Sequence, residues 1–191
     1  MSGFLKRAWD KPFIRKRILP ALCACAVLAT SVILFIHEYD NFHVVVDGKV
    51  YRSAQLSGKE FEHYIDAYNL KSVLNLRGRN KKHAWWRDEI AACERKGVEH
   101  IDFRMSARRE LTDMQWEDLR ETIEKAPKPL LIHCAGGADR SGLASAMCLK
   151  LEGASYEDAK RQLGVQYGHL PFFFNQTKAM DATLLKLHGK E

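Results

Sequence analysis

The sequence of 191 residues has few cysteines, no internal repeat and no low-complexity segment. Cys23 and Cys25 lie in an apolar run, so only Cys93, Cys134 and Cys148 remain outside it. No pair of these three has the spacing of metal ligands, and five cysteines in total are too few for a disulfide scaffold. The sequence therefore excludes a cysteine-rich module, while a single disulfide between Cys93 and Cys148 stays open.

Beyond its first residues the chain also lacks an excess of positive charge. The whole sequence carries a net charge of +6, and the first 17 residues hold six cations against one acid, a net charge of +5. The remaining residues are therefore close to neutral, at +1. A basic tail of this kind is typical of the cytoplasmic flank of a membrane segment, and it does not favour nucleic-acid binding.

A run without any charged residue follows this tail, from residue 18 to residue 36. At ~1.5 Å per residue, this run would span roughly 28 Å, which is close to the thickness of a bilayer hydrocarbon core. A core helix is rarely apolar on all sides. A cleavable signal peptide would end at a small-x-small site, whereas this run ends in Phe35-Ile36-His37-Glu38 with no such site after it, and the triplet Ala24-Cys25-Ala26 lies in the middle of the run. The sequence therefore predicts an uncleaved transmembrane signal anchor at residues 18–36.

The predicted anchor determines the rest of the organisation. Residues 1–17 form a basic cytoplasmic tail, residues 37–41 form a polar linker, and residues 42–190 form one domain of ordinary size. Because the basic tail would stay in the cytoplasm, we expect a single-pass protein of a bacterial inner membrane with its large domain in the periplasm.

Short strand patterns alternate with helix patterns after residue 42. Asp47-Gly48 is typical of a hairpin turn, and Ser57 and Thr112 have the spacing of capping boxes. The predicted strands are residues 44–46, 49–51, 72–76, 98–103 and 130–133, and the predicted helices are 57–68, 85–96, 112–125, 141–152, 155–163 and 175–188. This alternation indicates an α/β fold with a small, mainly parallel sheet flanked by helices.

The segment that carries the chemistry follows the last predicted strand and reads HCAGGADRSG, residues 133–142. Five residues separate Cys134 from Arg140, enough for the backbone to curl so that successive N–H groups face one concavity. Such a concavity binds an anion, and a helix that starts near Ser141 adds the positive end of its dipole. Gly136 and Gly137 supply the freedom that a tight curl requires.

Two side chains complete this pattern. The N–H groups and the helix dipole favour a thiolate over a thiol at Cys134, which makes it a nucleophile. Arg140 presents a planar fork that matches two oxygens of a phosphate. The alternative is that Cys134 is only a small buried residue at the end of a strand. That alternative does not explain the arginine, the paired glycines or the strand–loop–helix context. The pattern therefore indicates phosphoryl transfer to sulfur.

The His-Cys-x5-Arg-Ser pattern resembles the signature of the protein tyrosine and dual-specificity phosphatase superfamily. The segments YRSAQ, residues 51–55, and KSVLNLRG, residues 71–78, are similar to the opening of its compact bacterial dual-specificity-like members. The resemblance covers about residues 42 to 188, which is nearly the whole predicted domain. It implies a phosphomonoester hydrolase of the protein tyrosine phosphatase type that uses neither a metal nor another cofactor.

The resemblance implies a role for each residue of the signature. Cys134 would attack phosphorus and form a phosphocysteine, and Arg140 would hold the phosphate oxygens. Ser141 would hydrogen-bond the thiolate and help it leave, and His133 would position the loop. The residues implied to bind the substrate are Ala135, Gly136, Gly137, Ala138, Asp139 and Arg140.

The general acid is harder to assign. The resemblance implies an aspartate on the loop before the helix 112–125, but that loop, residues 104–110, contains none. Glu110, next to the predicted helix, is the first candidate proton donor. Asp102, within a predicted strand, is the second. Asp113 is the third, because an acid in the first turn of a helix commonly stabilises the helix dipole.

Basic residues near the predicted site suggest an anionic substrate. One cluster consists of Arg77, Arg79, Lys81, Lys82 and Arg87, and the loop before the helix 112–125 adds Arg104, Arg108 and Arg109. The first cluster either steers the substrate or is a solvated loop. Phosphotyrosine on a protein is the first expected substrate. A lipid or inositol phosphate is one alternative, and a pseudophosphatase that binds phosphorylated ligands is another. The oligomeric state is not indicated.

Overall fold

The computed structural model describes residues 12–38 and 40–188, with the side chains of residues 18–31, 40–186 and 188. The chain divides into two units, with the boundary after Glu38. Residues 1–11 of the predicted basic tail, residue 39 of the predicted linker and residues 189–190 at the end of the predicted domain lie outside the described residues.

The first unit contains helix α1, Pro12–Glu38. The prediction of a transmembrane anchor at residues 18–36 is wrong, because no helix in the described part of the chain is long and apolar enough to cross a membrane. The inner-membrane location and the periplasmic placement depended on that anchor, and they are withdrawn with it.

The second unit is built around a five-stranded sheet in the order β1-β2-β5-β3-β4. The strands are β1 (His43–Val46), β2 (Val50–Ser53), β3 (Ser72–Asn75), β4 (Glu99–Asp102) and β5 (Leu130–His133). The hairpin of β1 and β2 is antiparallel, and the other three pairings are parallel. The predicted small, mainly parallel sheet and the hairpin turn at Asp47-Gly48 are therefore confirmed.

Helices cover the sheet at nearly the predicted positions. They are α2 (Gly58–Tyr68), α3 (Ala84–Lys96), α4 (Asp113–Lys125), α5 (Asp139–Leu151), α6 (Tyr156–Lys160) and α7 (Lys178–His188), with short 3-10 turns at Arg161–Leu163, Val165–Tyr167 and Asn175–Thr177. Ser57 and Thr112 form the expected capping boxes with Glu60 and Gln115, which accounts for the starts of α2 and α4. The α/β class is confirmed.

The period of two along each strand divides the apolar residues between two cores. Leu74 and Ile132 point into the core that α4 and α5 cover, whereas Val73 and Leu131 point into the core that α2 and α3 cover. Because β5 lies in the centre of the sheet and is buried along its whole length, the loop after it is held at the middle of the carboxyl edge. In sheets of this kind, ligands bind at that edge.

Two buried cysteines bear on the open question of a disulfide. Cys93 and Cys148 are both free and buried, and they belong to different cores. Burial raises the pKa of each thiol to about 12, so neither is reactive at neutral pH.

Candidate active site

The strand–loop–helix arrangement predicted for residues 130–152 is confirmed, with one shift in its helix. Cys134 directly follows β5 and is 3% exposed. Helix α5 begins at Asp139, two residues before the predicted start. The signature loop, residues 134–138, is therefore tighter than expected, and the positive end of the helix dipole lies inside the signature itself.

The carbonyl groups of the signature loop are hydrogen-bonded to the surrounding scaffold. The carbonyl of Ala135 accepts from the Gln55 N–H at 3.1 Å, and that of Gly136 accepts from Asn41 Nδ2 at 2.8 Å. The carbonyls of Gly137 and Ala138 both accept from the guanidinium of Arg52, at 2.6 and 3.0 Å. Since the N–H of a trans peptide points opposite to its carbonyl, the N–H groups of residues 136–139 turn to the other side, where they can bind an anion.

The two glycines of the loop have different roles. Gly137 has a φ of 69°, and a Cβ there would lie 2.7 Å from the Ala54 nitrogen and 2.9 Å from Asn41 Nδ2. The loop therefore needs glycine at residue 137 both for its conformation and for its contact with the chain after β2. Gly136 does not need this freedom, because its φ is not positive and a Cβ there would meet nothing within 4 Å. The expectation that both glycines are required is wrong for Gly136.

Arg52, on β2, is the guanidinium that holds the loop from behind. It is fully buried, and in addition to its bonds to the loop its Nη1 donates to Gln162 O and Gln162 Oε1, both at 2.8 Å. Its Cζ lies 4.1 Å from the centre of the Tyr167 ring. Burial lowers the pKa of Arg52 to about 10, an effect that Tyr167, Cys134 and Asp139 partly oppose. Arg52 therefore remains charged at neutral pH and places a fixed cation behind Cys134.

Glu89, on α3, holds the other end of the loop. It is fully buried, and its Oε1 lies 2.8 Å from His133 Nε2 and 2.7 Å from His100 Nε2, while Gln55 Nε2 donates to Oε2 at 3.0 Å. Burial alone would raise the pKa of Glu89, but His133, His100 and Gln55 lower it to about 2. An ionised carboxylate therefore fixes the ring of His133, and His133 Nδ1 is buried without a hydrogen-bond partner among the described residues.

Arg140 lies where the signature loop meets a cavity of about 640 Å³. Its Nη1 donates to the Leu76 carbonyl at a long 3.4 Å, and its Nε is buried with no partner in the described part of the chain. Arg77, Arg104, Arg109 and Glu110 also line this cavity. An arginine with unused donors at the mouth of an N–H-lined loop is suited to bind an oxyanion.

The three candidate acids lie in different surroundings. Glu110 lines the cavity together with Arg140. The carboxylate of Asp102 instead accepts from Asn75 Nδ2 at 2.8 Å and from Trp86 Nε1 at 3.1 Å. Asp113 is the first residue of α4 and forms an ion pair of 3.3 Å with Lys186. Glu110 therefore remains the first candidate on geometry, and its role stays a prediction.

Ser141 and Asp139 occupy the first turn of α5. Ser141 is fully buried, and its hydroxyl donates to the Ser53 carbonyl at 3.5 Å. Asp139 accepts from His169 Nδ1 at 2.7 Å, and the other nitrogen of His169 lies 2.9 Å from Asp181 Oδ2. Burial alone would lower the pKa of His169, but the two carboxylates raise it. The side chain of Asp139 is thus engaged with His169.

Three buried polar residues around the loop were not assigned by sequence reasoning: Arg52, Glu89 and Asn41. Arg52 lies within the segment that carries the family resemblance, which was the available signal. Asn41 was placed in the linker, yet it is buried in the second unit and contacts the loop. The sequence around Glu89 gives no indication that this residue is buried beside the loop, because an acid on an amphipathic helix ordinarily faces water. No group of three or more His, Cys, Asp or Glu side chains in residues 12–38 and 40–188 is arranged to hold a metal ion.

Several solved structures have a similar fold. TpbA of P. aeruginosa shares 18% identity with a TM-score of 0.61, covering 78% of this chain and 86% of its own. It has also been solved as a Cys-to-Ser variant in complex with phosphotyrosine. The catalytic core of the PP-IP phosphatase SIW14 of S. cerevisiae shares 21% identity with a TM-score of 0.54, covering 78% of this chain and 91% of its own. At these identities the likeness shows the fold.

The sequence itself carries the family assignment. No curated protein matches the chain. The sequence profile of the tyrosine phosphatase family matches residues 37–162, about two thirds of the chain and nearly every element that surrounds the signature loop. The chain belongs to the tyrosine phosphatase family and is a phosphomonoester hydrolase.

Proposed function

We propose that this protein hydrolyses phosphomonoesters through a phosphocysteine formed on Cys134. The observation that carries the proposal is the outward bonding of four successive loop carbonyls, which leaves their N–H partners free to face an anion above Cys134. The charge of Arg52 behind the loop and the unused donors of Arg140 favour the same anion.

In the first step the Cys134 thiolate attacks phosphorus and the bond from phosphorus to the leaving oxygen breaks. Arg140 and the loop N–H groups hold the three phosphoryl oxygens during the transfer. Glu110, on the wall of the same cavity, donates a proton to the leaving oxygen, so that an alcohol rather than an alkoxide departs. The product of this step is a phosphocysteine and a free alcohol.

In the second step water attacks the phosphocysteine. The Glu110 carboxylate takes a proton from that water, the sulfur–phosphorus bond breaks, and inorganic phosphate is released. Ser141 assists by donating a hydrogen bond from its hydroxyl to the departing thiolate, which requires it to exchange the long bond to Ser53 for one to sulfur. A bond of 3.5 Å is weak enough for that exchange.

Phosphotyrosine on a protein is the first proposed substrate. The family assignment supports it, as does the complex of TpbA with phosphotyrosine. A lipid or inositol phosphate is the second candidate. The arginines on the cavity wall favour it, since one phosphate does not require so many cations, and SIW14, a phosphatase of similar fold, is described as acting on PP-IP.

The test compares the wild type with Cys134→Ser, using the full chain, 4-nitrophenyl phosphate and phosphotyrosine peptides, with EDTA present. We expect turnover by the wild type, and loss of at least about 10⁴-fold in the variant, which should still bind vanadate or phosphate. Cys148→Ser, the matched control at another buried cysteine, should retain turnover. Activity that survives Cys134→Ser, or that requires a divalent metal, would overturn the mechanism. Tight binding of phosphopeptides without turnover by the wild type would indicate a pseudophosphatase instead.

A further inference from the structure

The cavity beside Arg140 contains more positive charge than one phosphate needs. Its wall includes Arg77, Arg104, Arg109 and Arg140, against a single acid, Glu110, among the described lining residues. A bound phosphate carries about −1.5 to −2 charges near neutral pH, and the proposed mechanism assigns it to Arg140 and the N–H groups of the loop. Three arginines therefore face the same space without an assigned anion.

Arg77 is held in place before a ligand binds. Its guanidinium stacks on Trp85 at 3.5 Å, and its Nη1 donates to Gln55 Oε1 at 2.7 Å. Burial lowers the pKa of Arg77, and the neighbouring charge of Arg140 lowers it further. Two guanidinium groups kept so close repel each other, and an anion placed between or beside them removes that repulsion.

Arg104 reaches the same wall because of a glycine in the loop after β3. Gly78 has a φ of 72°, and a Cβ there would lie 2.5 Å from Arg104 Cβ. The Met105 N–H also donates to the Leu76 carbonyl at 3.4 Å. The loops after the neighbouring parallel strands β3 and β4 therefore pass against each other, and this contact brings Arg104 to the cavity that Arg77 and Arg140 line.

We propose that Arg77, Arg104 and Arg109 form a second anion site next to the site of Arg140, so that the preferred substrates carry a second phosphate close to the one that is hydrolysed. The inference rests on the proposed function and narrows its substrate class. Since the arginines come from two loops outside the signature, the second site selects the substrate without taking part in the chemistry at Cys134. The second phosphate stays on the product.

The test measures competition with hydrolysis of 4-nitrophenyl phosphate. Inorganic phosphate is the probe with one phosphate group, and methylenediphosphonate, which cannot be hydrolysed, is the probe with two linked groups. We expect methylenediphosphonate to inhibit the full-length wild type at least about tenfold more strongly than phosphate. In the double variant Arg104→Gln/Arg109→Gln this ratio should fall to within about threefold of unity, with a smaller change in the inhibition constant of phosphate.

Two controls make the result specific. Arg120→Gln removes one charge from the exposed face of α4, outside the cavity, and should keep the wild-type ratio. Calorimetric titration of Cys134→Ser with both probes gives the same comparison without turnover, so a failure of the proposed reaction is distinguishable from a failure of the second site. Equal inhibition by the two probes, or a ratio that the double variant leaves unchanged, would overturn the inference.

A final arm asks what carries the second phosphate. Hydrolysis of a soluble diol bisphosphate is compared with that of the corresponding monophosphate, and the same pair is presented as lipid headgroups in phosphatidylcholine vesicles. A preference for the bisphosphate in either form supports the second site and identifies the carrier. Equal rates for the bisphosphate and the monophosphate in both forms count against it.

Discussion

The floor and the wall of the candidate site differ in how their polar groups are satisfied. The floor consists of the signature loop with Arg52, Glu89 and His133, three buried side chains that are tied to the scaffold by hydrogen bonds. The wall consists of Arg77, Arg104, Arg109 and Glu110, which border an open cavity of about 640 Å³. The floor is therefore held mainly by hydrogen bonds within the protein, whereas the wall borders space that a ligand can enter.

This difference separates two kinds of mutation. A change in the floor should lower the free energy of unfolding and reduce activity on every substrate by the same factor. A change in the wall should leave stability nearly unaltered and affect some substrates more than others. The predictions below test whether the two regions can be separated in this way.

The largest effect is expected for Arg52→Met. The variant leaves the Gly137 carbonyl and the Gln162 side chain buried without their donor, and the Ala138 carbonyl keeps only the Gly142 N–H, which should cost about 4 kcal/mol in the free energy of unfolding. Urea denaturation measures it. Lys49→Met, in the same hairpin, removes an exposed ion pair with Glu152 and should cost less than about 1 kcal/mol. If both variants are equally stable, Arg52 does not hold the floor.

The next largest effect is expected for Glu110→Gln, in the wall. Loss of a proton donor should reduce kcat/KM on an alkyl phosphate by about 10²-fold or more, and on 4-nitrophenyl phosphate by much less, since nitrophenolate leaves without a proton. The free energy of unfolding should stay within about 0.5 kcal/mol of the wild type. Steady-state kinetics on the two substrates checks this.

The matched variants at Glu110 and Asp102 decide between the two candidate acids. Asp102→Asn removes a carboxylate that already binds Asn75 and Trp86, so it should affect both substrates alike. If instead the selective loss on alkyl phosphates follows Asp102→Asn and not Glu110→Gln, the assignment of the acid is reversed.

A smaller effect, with a defined pH dependence, is expected for Glu89→Gln. The pKa of Glu89 is lowered in the folded protein from 4.5 to about 2. A lowered carboxyl pKa contributes stability that is present above the unfolded value and is lost as the pH falls through the folded one. The wild type should therefore exceed the variant by about 2 kcal/mol at pH 7, and the gap should close between pH 4.5 and about 2. Urea denaturation across this pH range tests it, and a gap that stays constant would contradict it.

The placement of Cys134 and Arg140 could be predicted from the sequence because all of its determinants are local. Two residues at a fixed spacing, with a strand before them and a helix after them, specify a strand–loop–helix segment with both residues at the carboxyl edge of the sheet. The same holds for the capping boxes at Ser57 and Thr112. Two details of this segment were missed: the start of α5, because Asp139 and Arg140 were counted as part of the loop, and the lack of any need for glycine at residue 136.

The supports of the loop could not be predicted because they depend on contacts between distant residues. Arg52 lies 85 residues from Gly137, and Glu89 lies 44 residues from His133. An arginine in a strand and a glutamate on a helix ordinarily face water, and only the assembled sheet shows that both are buried. The prediction of an anchor was wrong for a related reason. It rested on a count of uncharged residues along the sequence, whereas crossing a membrane requires a helix that is long and apolar enough, and the described part of the chain has none.

The smallest effect is expected where the floor meets the first turn of α5, at His169. Its two carboxylate partners, Asp139 and Asp181, raise the pKa of this buried ring above its usual 6.5. A raised histidine pKa contributes stability that is full below the unfolded value and is lost as the pH rises through the folded one. The wild type should therefore exceed His169→Gln by about 1 kcal/mol at pH 6, with a smaller gap at alkaline pH. Denaturation at both pH values measures this, with His63→Gln on the exposed face of α2 as the control. Because Asp139 belongs to the signature, the floor should loosen as this bridge loses its proton, and the loss of activity at alkaline pH should then be the same factor on alkyl and aryl phosphates. A loss confined to one class of substrate would place Asp139 in the wall, and the boundary between the two regions would have to move.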